Sequence, residues 1–211
     1  MMLQCDWNNI TSLAYQTLIE LKLLSFPIPP NKIKCKNTVI TSYQQYAEMV
    51  GCSVDELTCG KEVDDGLFLD ELRPGLKMIL YNEEKYDARV KHTLWHEVGH
   101  VQLGHKKHGE QEEIEAHFFA SQANAPNVLI KAIALRGHKI DIDLLMQTFG
   151  LSEESAKKKL DYLSRFPSSH PNDYDSIMLQ LFSRWLDEKF PNRVHYDSYF
   201  DDLEFEREKW F

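Results

Sequence analysis

Two histidines lie four residues apart on either side of a glutamate in the stretch His96-Glu97-Val98-Gly99-His100. Residues with this spacing project from the same face of an α-helix, so His96 and His100 can offer two imidazole nitrogens to one metal ion. The apolar residues between 86 and 103 recur with helical spacing. The sequence therefore predicts a helix with a two-histidine metal site on one face.

The residues between the histidines suggest a hydrolytic reaction. Zinc lowers the pKa of a bound water to about 7, and a neighbouring carboxylate, here Glu97, can take the proton as the hydroxide attacks a peptide carbonyl. Gly99 costs a free helix about 1 kcal/mol relative to alanine. We expect this glycine to let another backbone approach closely, the alternative being an incidental glycine. The motif predicts zinc peptidase chemistry with Glu97 as the catalytic base.

A catalytic zinc ion needs a third protein ligand and an open fourth position. One class of zinc peptidases continues the motif as HExxHxxGxxH, but Leu103 and Lys106 stand where that class requires glycine and histidine. Another class takes a glutamate from the following helix. Three glutamates open the next predicted helix, namely Glu112, Glu113 and Glu115. The spacing of the residues does not decide which of the three glutamates is the ligand.

Two stretches of the chain together resemble the ImmA/IrrE-type zinc metallopeptidases. The first is His96–His100 followed by Leu103-Gly104-His105, and the second runs from Glu113-Ile114-Glu115-Ala116-His117-Phe118-Phe119-Ala120 to Pro126. The family pattern is HELGHxxLGH, then ExxA(N/D)xFA with a proline six residues later. The resemblance covers roughly residues 35–165. It implies that Glu113, three residues before the matched alanine, is the third zinc ligand.

Three further residues are candidates for the surroundings of the zinc ion or for substrate contact. His117 stands where the family has asparagine or aspartate, so we expect it to form a hydrogen bond near a ligand histidine; the alternatives are a packed residue or an extra ligand. Tyr81 and Asn82 belong to an upstream stretch that also fits the family, and Tyr81 is a candidate for polarising the scissile carbonyl. His105 is expected to act as a cation at the helix end, and Trp95 as a core residue.

The resemblance implies a specific activity, cofactor and partner. Zinc is the implied cofactor, and the implied reaction is endoproteolysis of a regulatory protein, typically a helix-turn-helix repressor encoded on phage or other mobile DNA. One alternative is a non-catalytic, zinc-stabilised module that sequesters the repressor. A second alternative is a DNA-binding regulator that uses a helix-turn-helix outline at residues 141–165.

The pattern of apolar residues predicts an α+β fold, with a small mixed or antiparallel sheet and the active-site helix, followed by a mostly helical C-terminal half. The resemblance implies that the sheet and the active-site helix form a zincin-like core. Strands are expected at 38–41, 66–69 and 76–81. Helices are expected near 9–24, 43–50, 84–104, 111–124, 127–136, 141–149, 152–165 and 173–189. We expect a peptidase core with its N-terminal helix at 1–137, a helix-turn-helix-like segment packed on it at 138–166, and a helical extension with an acidic tail at 167–211.

The strand Leu76–Tyr81 leads into the active-site helix. Peptidases commonly bind substrate as an added strand along an exposed sheet edge, so we expect this strand to take that role. The alternative is an interior strand.

The net charge of the chain argues against nucleic acid as a partner. The chain carries a formal charge of −9, and an acidic surface repels phosphates. Within 138–166, basic and acidic residues balance, and we expect Lys157–Lys159 to form a solvated helix face. This segment is expected to pack on the core or to dock substrate.

The chain is expected to remain in the cytoplasm. Its first ten residues lack the basic start and apolar stretch of a signal peptide, and no apolar run approaches the roughly 20 residues that span a bilayer. The four cysteines form no CxxC pair and are expected to be isolated thiols.

Overall fold

The helices begin and end close to the positions that the sequence predicts. The computed structural model describes residues 5–62, 65–73, 75–106, 109–166 and 171–193. Its elements in chain order are α1 (Trp7–Glu20), β1 (Thr38–Ser42), α2 (Tyr43–Val50), α3 (Val54–Leu57), β2 (Gly66–Arg73), β3 (Leu76–Tyr81), α4 (Asp87–Leu103), α5 (Glu110–Asn124), α6 (Asn127–Leu135), α7 (Ile142–Phe149), α8 (Glu153–Arg165), α9 (Asp175–Leu181) and α10 (Ser183–Lys189), with a 3-10 turn at Pro30–Lys32.

The described strands form one mixed sheet in the order β1-β3-β2. Strand β1 runs parallel to β3, whereas β2 runs antiparallel to it and pairs Phe68 with Ile79. A small mixed sheet followed by a mostly helical half confirms the predicted α+β fold.

The expectation that Leu76–Tyr81 forms an exposed sheet edge was wrong. This strand, β3, lies in the centre of the sheet with a partner on each side. Met78, Ile79 and Leu80 are all buried, although they alternate between the two faces of the sheet. A continuous apolar run of this kind is typical of a strand that is covered on both faces. The edge beside the active-site helix belongs to β2 instead.

Helices α4 and α5 pack against each other at very close range. A Cβ atom built on Gly99 would lie 3.2 Å from the Cβ of Phe119 and 3.3 Å from the Cα of Ala116. This confirms that Gly99 lets a second backbone approach beside the metal motif. Trp95 is fully buried in the main core, as predicted.

Helices α7 and α8 form a capped helical pair. The side chain of Asp141 accepts a hydrogen bond at the start of α7, Gly150 ends that helix in the left-handed conformation, and Ser152 caps α8. Lys157 and Lys158 are exposed on α8, as expected, but Lys159 is only 3% exposed. The prediction of a solvated face was therefore wrong for Lys159, which lies on the inner side of the helix.

The predicted helix at 173–189 is two helices, α9 and α10, separated at the fully buried Phe182. The acidic tail lies outside the described residues, and the division at 137 and 166 stays a prediction. In the part of the chain that the structure describes, no helix is long and apolar enough to cross a membrane.

Candidate metal centre

Three side chains from α4 and α5 converge on one point. The Nε2 atoms of His96 and His100 lie 3.1 Å apart. The carboxylate oxygens of Glu113 lie 3.2 Å from His96 Nε2 and 3.4 Å from His100 Nε2. Two antiparallel helices with a short connection thus bring together the residues that the motif and the resemblance selected.

These distances fit a zinc ion. Ligand atoms at about 2.0–2.1 Å from a tetrahedral metal lie roughly 3.3–3.4 Å from one another. The 3.1 Å separation of the two imidazole nitrogens is close to that edge length, and each of these nitrogens lies 3.2–3.4 Å from one of the two carboxylate oxygens of Glu113. A donor set of two imidazoles and one carboxylate suits zinc and leaves a fourth position for a water or substrate oxygen.

A chain of hydrogen bonds orients the second histidine. His100 Nδ1 lies 2.9 Å from His105 Nδ1, and His105 Nε2 lies 3.1 Å from a carboxylate oxygen of Glu115. An ionised carboxylate only accepts, so a neutral His105 donates from Nε2 and accepts at Nδ1. His100 must then donate from its own Nδ1, which leaves the lone pair of its Nε2 directed at the site.

This chain gives His105 and Glu115 a role that sequence reasoning missed. His105 was expected to be a cation at the helix end, and Glu115 was considered as a ligand. The structure shows in addition that His105 bonds to Glu115 and to a candidate ligand. The available signal was Leu103-Gly104-His105, because the left-handed Gly104 turns the chain so that His105 faces back toward His100.

His117 lies directly beside the three converging side chains. One ligand atom each of His96, Glu113 and His117 lies within 4.8 Å of the others. The His117 ring is 4.3 Å from that of His96 and stacks on His92 at 5.7 Å between centroids. Burial lowers the pKa of His92 to about 4 and also lowers the pKa of His117. Both rings are therefore neutral at pH 7, and His117 can act as a hydrogen-bonding neighbour or as an alternative ligand.

We favour His96, His100 and Glu113 as the primary set of ligands. Their ligand atoms lie 3.1–3.4 Å apart, which suits a shared metal, whereas the wider group with His117 has ligand atoms within 4.8 Å of one another. The second imidazole, His100, is also the one with an oriented lone pair.

Glu97 lies in the wall of the same cleft and is 7% exposed. Burial, followed by the charge of Glu113, raises its pKa to about 7. A bound divalent cation favours the ionised form and lowers this pKa again. Gly66 lies against this part of α4, where a Cβ would be 2.4 Å from Thr93 Cγ2 and 3.3 Å from Glu97 Cγ. The first residue of β2 must therefore be very small.

The converging residues open into a cleft of about 790 Å³. Its walls are the start of β2, one face of α4, one face of α5 and the inner face of α8. The segment 138–166 thus contributes a wall of the cleft through α8.

Two of the candidate residues lie elsewhere. Among the described residues, those that line the cleft include neither Tyr81 nor Asn82. Tyr81 packs against the main core. The side chain of Asn82 accepts a hydrogen bond from the backbone of Glu84 and so stabilises the turn before α4.

A mixed sheet beside a helix pair that carries HExxH and a glutamate defines a metallopeptidase-type architecture. Comparison with protein families agrees: the model described as the IrrE N-terminal-like domain, a peptidase family, matches residues 47–161. The match covers more than half of the chain, so the chain belongs to this family. No curated protein and no solved structure gives a significant match.

Proposed function

We propose that this protein is a zinc-dependent endopeptidase that cleaves a specific regulatory protein. The observation that carries the proposal is the convergence of His96, His100 and Glu113, with separations that suit one tetrahedral ion. Family membership supports a metallopeptidase-type function. Zinc, when bound, supplies a Lewis acid that makes water acidic enough to attack a peptide carbonyl at neutral pH.

Glu97 is the proposed general base. Its carboxylate is buried in the cleft and follows the first ligand in sequence, and a bound zinc ion would lower its pKa from about 7, so that it is ionised and able to accept a proton. A base of this kind accepts a proton from the attacking water and returns it to the leaving amine. A purely structural metal site has no use for such a group.

The outer edge of β2 is the proposed binding surface for the substrate backbone. Strand β2 bonds to β3 on one side, and no other described strand pairs with it. Asp65, Gly66, Leu67 and Phe68, at the start of this strand, line the cleft. An extended peptide added along this edge gains main-chain hydrogen bonds and passes the metal centre.

The proposed substrate is a helix-turn-helix repressor, often encoded on phage or other mobile DNA. The support for this partner is the resemblance to the ImmA/IrrE-type enzymes. Incubation of the protein with the repressor encoded beside its gene, with and without a chelator, tests it. We expect two fragments of the repressor to appear only when zinc is present. A repressor that stays intact under both conditions would show that it is not the substrate.

The substitution Glu97→Gln tests catalysis separately from metal binding. We expect one zinc ion per chain to be retained, because none of the three ligands changes. Cleavage should fall by about 10²–10⁴-fold, the usual contribution of a general base. The matched control is Glu188→Gln, at an exposed position on α10, which should leave both quantities unchanged.

The same variant distinguishes the non-catalytic alternative. If Glu97→Gln still relieves repression as well as the wild-type protein, the site serves a zinc-stabilised binding module.

DNA binding is disfavoured by the charges of α8. Lys157, Lys158 and Arg165 each form an ion pair with an acidic residue one turn away, and Lys159 is buried. Salt-sensitive duplex binding near micromolar concentrations would revive the regulator alternative.

A further inference from the structure

One lysine in the wall of the cleft has no carboxylate partner among the residues that the structure describes. Of those residues, three basic side chains other than histidine line the cleft. Arg89 forms an ion pair with Asp65, and Lys158 forms one with Glu154. The third, Lys159, is 3% exposed and has no ion pair with any carboxylate in the described ranges.

Lys159 is tied to α5 by neutral groups only. Its Nζ lies 3.2 Å from the backbone oxygen of Ser121 and 3.2 Å from the Ser121 hydroxyl. An ammonium group has three N–H donors, so one remains after these two bonds. Burial lowers the pKa of Lys159 to about 7. A buried cation without an anion is costly, and a carboxylate brought beside it would remove most of that cost.

A second buried polar group lies in the same wall. Asn124 is 2% exposed, lines the cleft, and has a side-chain oxygen without a hydrogen-bond partner. It lies three residues after Ser121 and therefore on the same face of α5. The two ends of an amide are interchangeable by rotation, so Asn124 can present either its NH₂ group or its oxygen to a ligand.

The position of these groups relative to the metal centre follows from helix geometry. Glu113 and Ser121 are eight residues apart on α5, which corresponds to about 12 Å along the axis. An extended peptide advances about 3.3 Å per residue. A group bound at Lys159 would therefore lie about three or four residues from the bond at the metal centre.

We propose that Lys159, together with Ser121 and Asn124, binds a carboxylate of the peptide substrate about three or four residues from the cleaved bond. The position of that bond rests on the proposed peptidase function; the carboxylate site itself does not. The carboxylate can come from an acidic side chain or from the C-terminus of the substrate. Both sources present the same planar anion to the free N–H of Lys159.

Peptide binding to the zinc-loaded Glu97→Gln protein tests this site without cleavage. The probes are ten-residue alanine-rich peptides with a single Glu, or the isosteric Gln, at each position in turn. Every peptide is prepared with a free and with an amidated C-terminus. At one position we expect the Glu peptide to bind about 10- to 100-fold more tightly than the Gln peptide, which corresponds to one charged hydrogen bond.

The substitution Lys159→Met, made in the same background, should abolish that preference and leave the affinity of the Gln peptide unchanged. Lys157→Met is the matched control, because that exposed lysine pairs with Glu153 and is not among the described residues that line the cleft; the preference should survive there. If the preference follows the free C-terminus rather than Glu, the terminal carboxylate is the source. Lys159→Gln is a second neutral variant, should the methionine variant fail to melt cooperatively.

Two results would overturn the proposal. The first is a protein with Lys159 intact that binds the Glu and Gln peptides with equal affinity and also does not distinguish a free from an amidated C-terminus. The second is a Lys159→Met protein that loses affinity for all peptides to the same extent, because that indicates a structural role. Failure of the peptidase function has a different signature, since zinc-loaded wild-type protein would then leave the repressor uncut while the binding preference for the Glu peptide could still be measured.

Discussion

The two sides of the cleft are held in place by different physical means. On the α4–α5 side, backbones touch at Gly99, and a hydrogen-bonded chain from His100 to Glu115 joins the helices. On the α7–α8 side, two buried lysines connect the pair to the rest of the molecule. Lys91 reaches from α4 to the end of α7, and Lys159 reaches from α8 to α5. Both sides also pack into the main core, the second through Leu145, Phe149 and Ala156. Their polar connections differ, because those of the first side are short and those of the second use long side chains.

The two lysines also differ from each other. Lys91 donates to the backbone oxygens of Phe149 and Gly150, where α7 ends and carbonyls have no donor within the helix. Lys159 donates to Ser121, whose backbone oxygen already accepts from Ala125, the residue that follows α5. Lys91 therefore donates to carbonyls that have no hydrogen-bond donor within the helix. Lys159 instead adds a second hydrogen bond to a carbonyl that already has a backbone donor. This difference separates a structural lysine from one that is available for a ligand.

The largest effect on zinc content and peptidase activity is expected from a substitution on the α4–α5 side of the cleft. Glu113→Gln replaces a charged candidate ligand with a neutral amide of the same shape. Zinc content should fall well below one ion per chain, and peptidase activity by at least about 10³-fold, because the metal supplies several kcal/mol of transition-state stabilisation. Zinc analysis after dialysis measures the first quantity. Full zinc retention in this variant would remove Glu113 from the ligand set; Glu112→Gln is the neighbouring control.

On the other side, Lys91→Met should cause the largest loss of stability. It leaves the carbonyls at the end of α7 without their donor in a buried position, at a cost of about 2–4 kcal/mol in the free energy of unfolding. Urea unfolding measures the change. Lys158→Met, at an exposed ion pair, should stay within about 0.5 kcal/mol of wild type. Equal effects of the two substitutions would contradict the capping role of Lys91.

The pH dependence of the free energy of unfolding should show that Lys159 has a lowered pKa in the folded chain. Its pKa is about 7 in the folded chain and about 10.4 when unfolded. Between these values the unfolded chain holds a proton that the folded chain has released, so the free energy of unfolding rises with pH. From pH 7 to 9 the wild-type protein should gain about 2 kcal/mol relative to Lys159→Met. A constant difference across this range would show that Lys159 keeps its charge when folded.

The smallest effect is expected for the hydrogen-bonded neighbour of the ligands. His105→Ala removes the acceptor for His100 Nδ1 and should weaken zinc binding by about 10-fold, the lower end for an outer hydrogen-bond partner. Competition with a zinc-sensitive dye measures the affinity. His138→Ala, at a half-buried histidine that bonds to the Pro191 carbonyl and is not among the described residues that line the cleft, is the control. An unchanged affinity in His105→Ala would mean that His100 is oriented by packing alone.

The site residues that could be predicted from sequence are those that local sequence patterns specify. His96 and His100 share a face because of helical spacing, and Gly99 meets α5 because a glycine there has a steric consequence. The helices from α4 to α8 also lie close to their predicted ranges, since apolar period, caps and glycine ends are local signals. Glu113 was selected by the family motif and not by spacing.

The remaining features of the fold and the site depend on which helices and strands pack against one another. Strand order in the sheet is a long-range property, so β3 could not be distinguished from an edge strand by its own residues, although its unbroken apolar run was a signal. Lys159 belongs to a run of three lysines, and only the packing of α8 on α5 shows that it faces inward. His105 required the geometry of the turn at Gly104.

An anomalous difference map recorded at the zinc edge from crystals of the wild-type protein tests the central claim most directly. We predict one peak between His96 Nε2, His100 Nε2 and the Glu113 carboxylate, about 2.0–2.2 Å from each. A protein that binds no zinc, or a peak held by His117 in place of His100, would contradict the account.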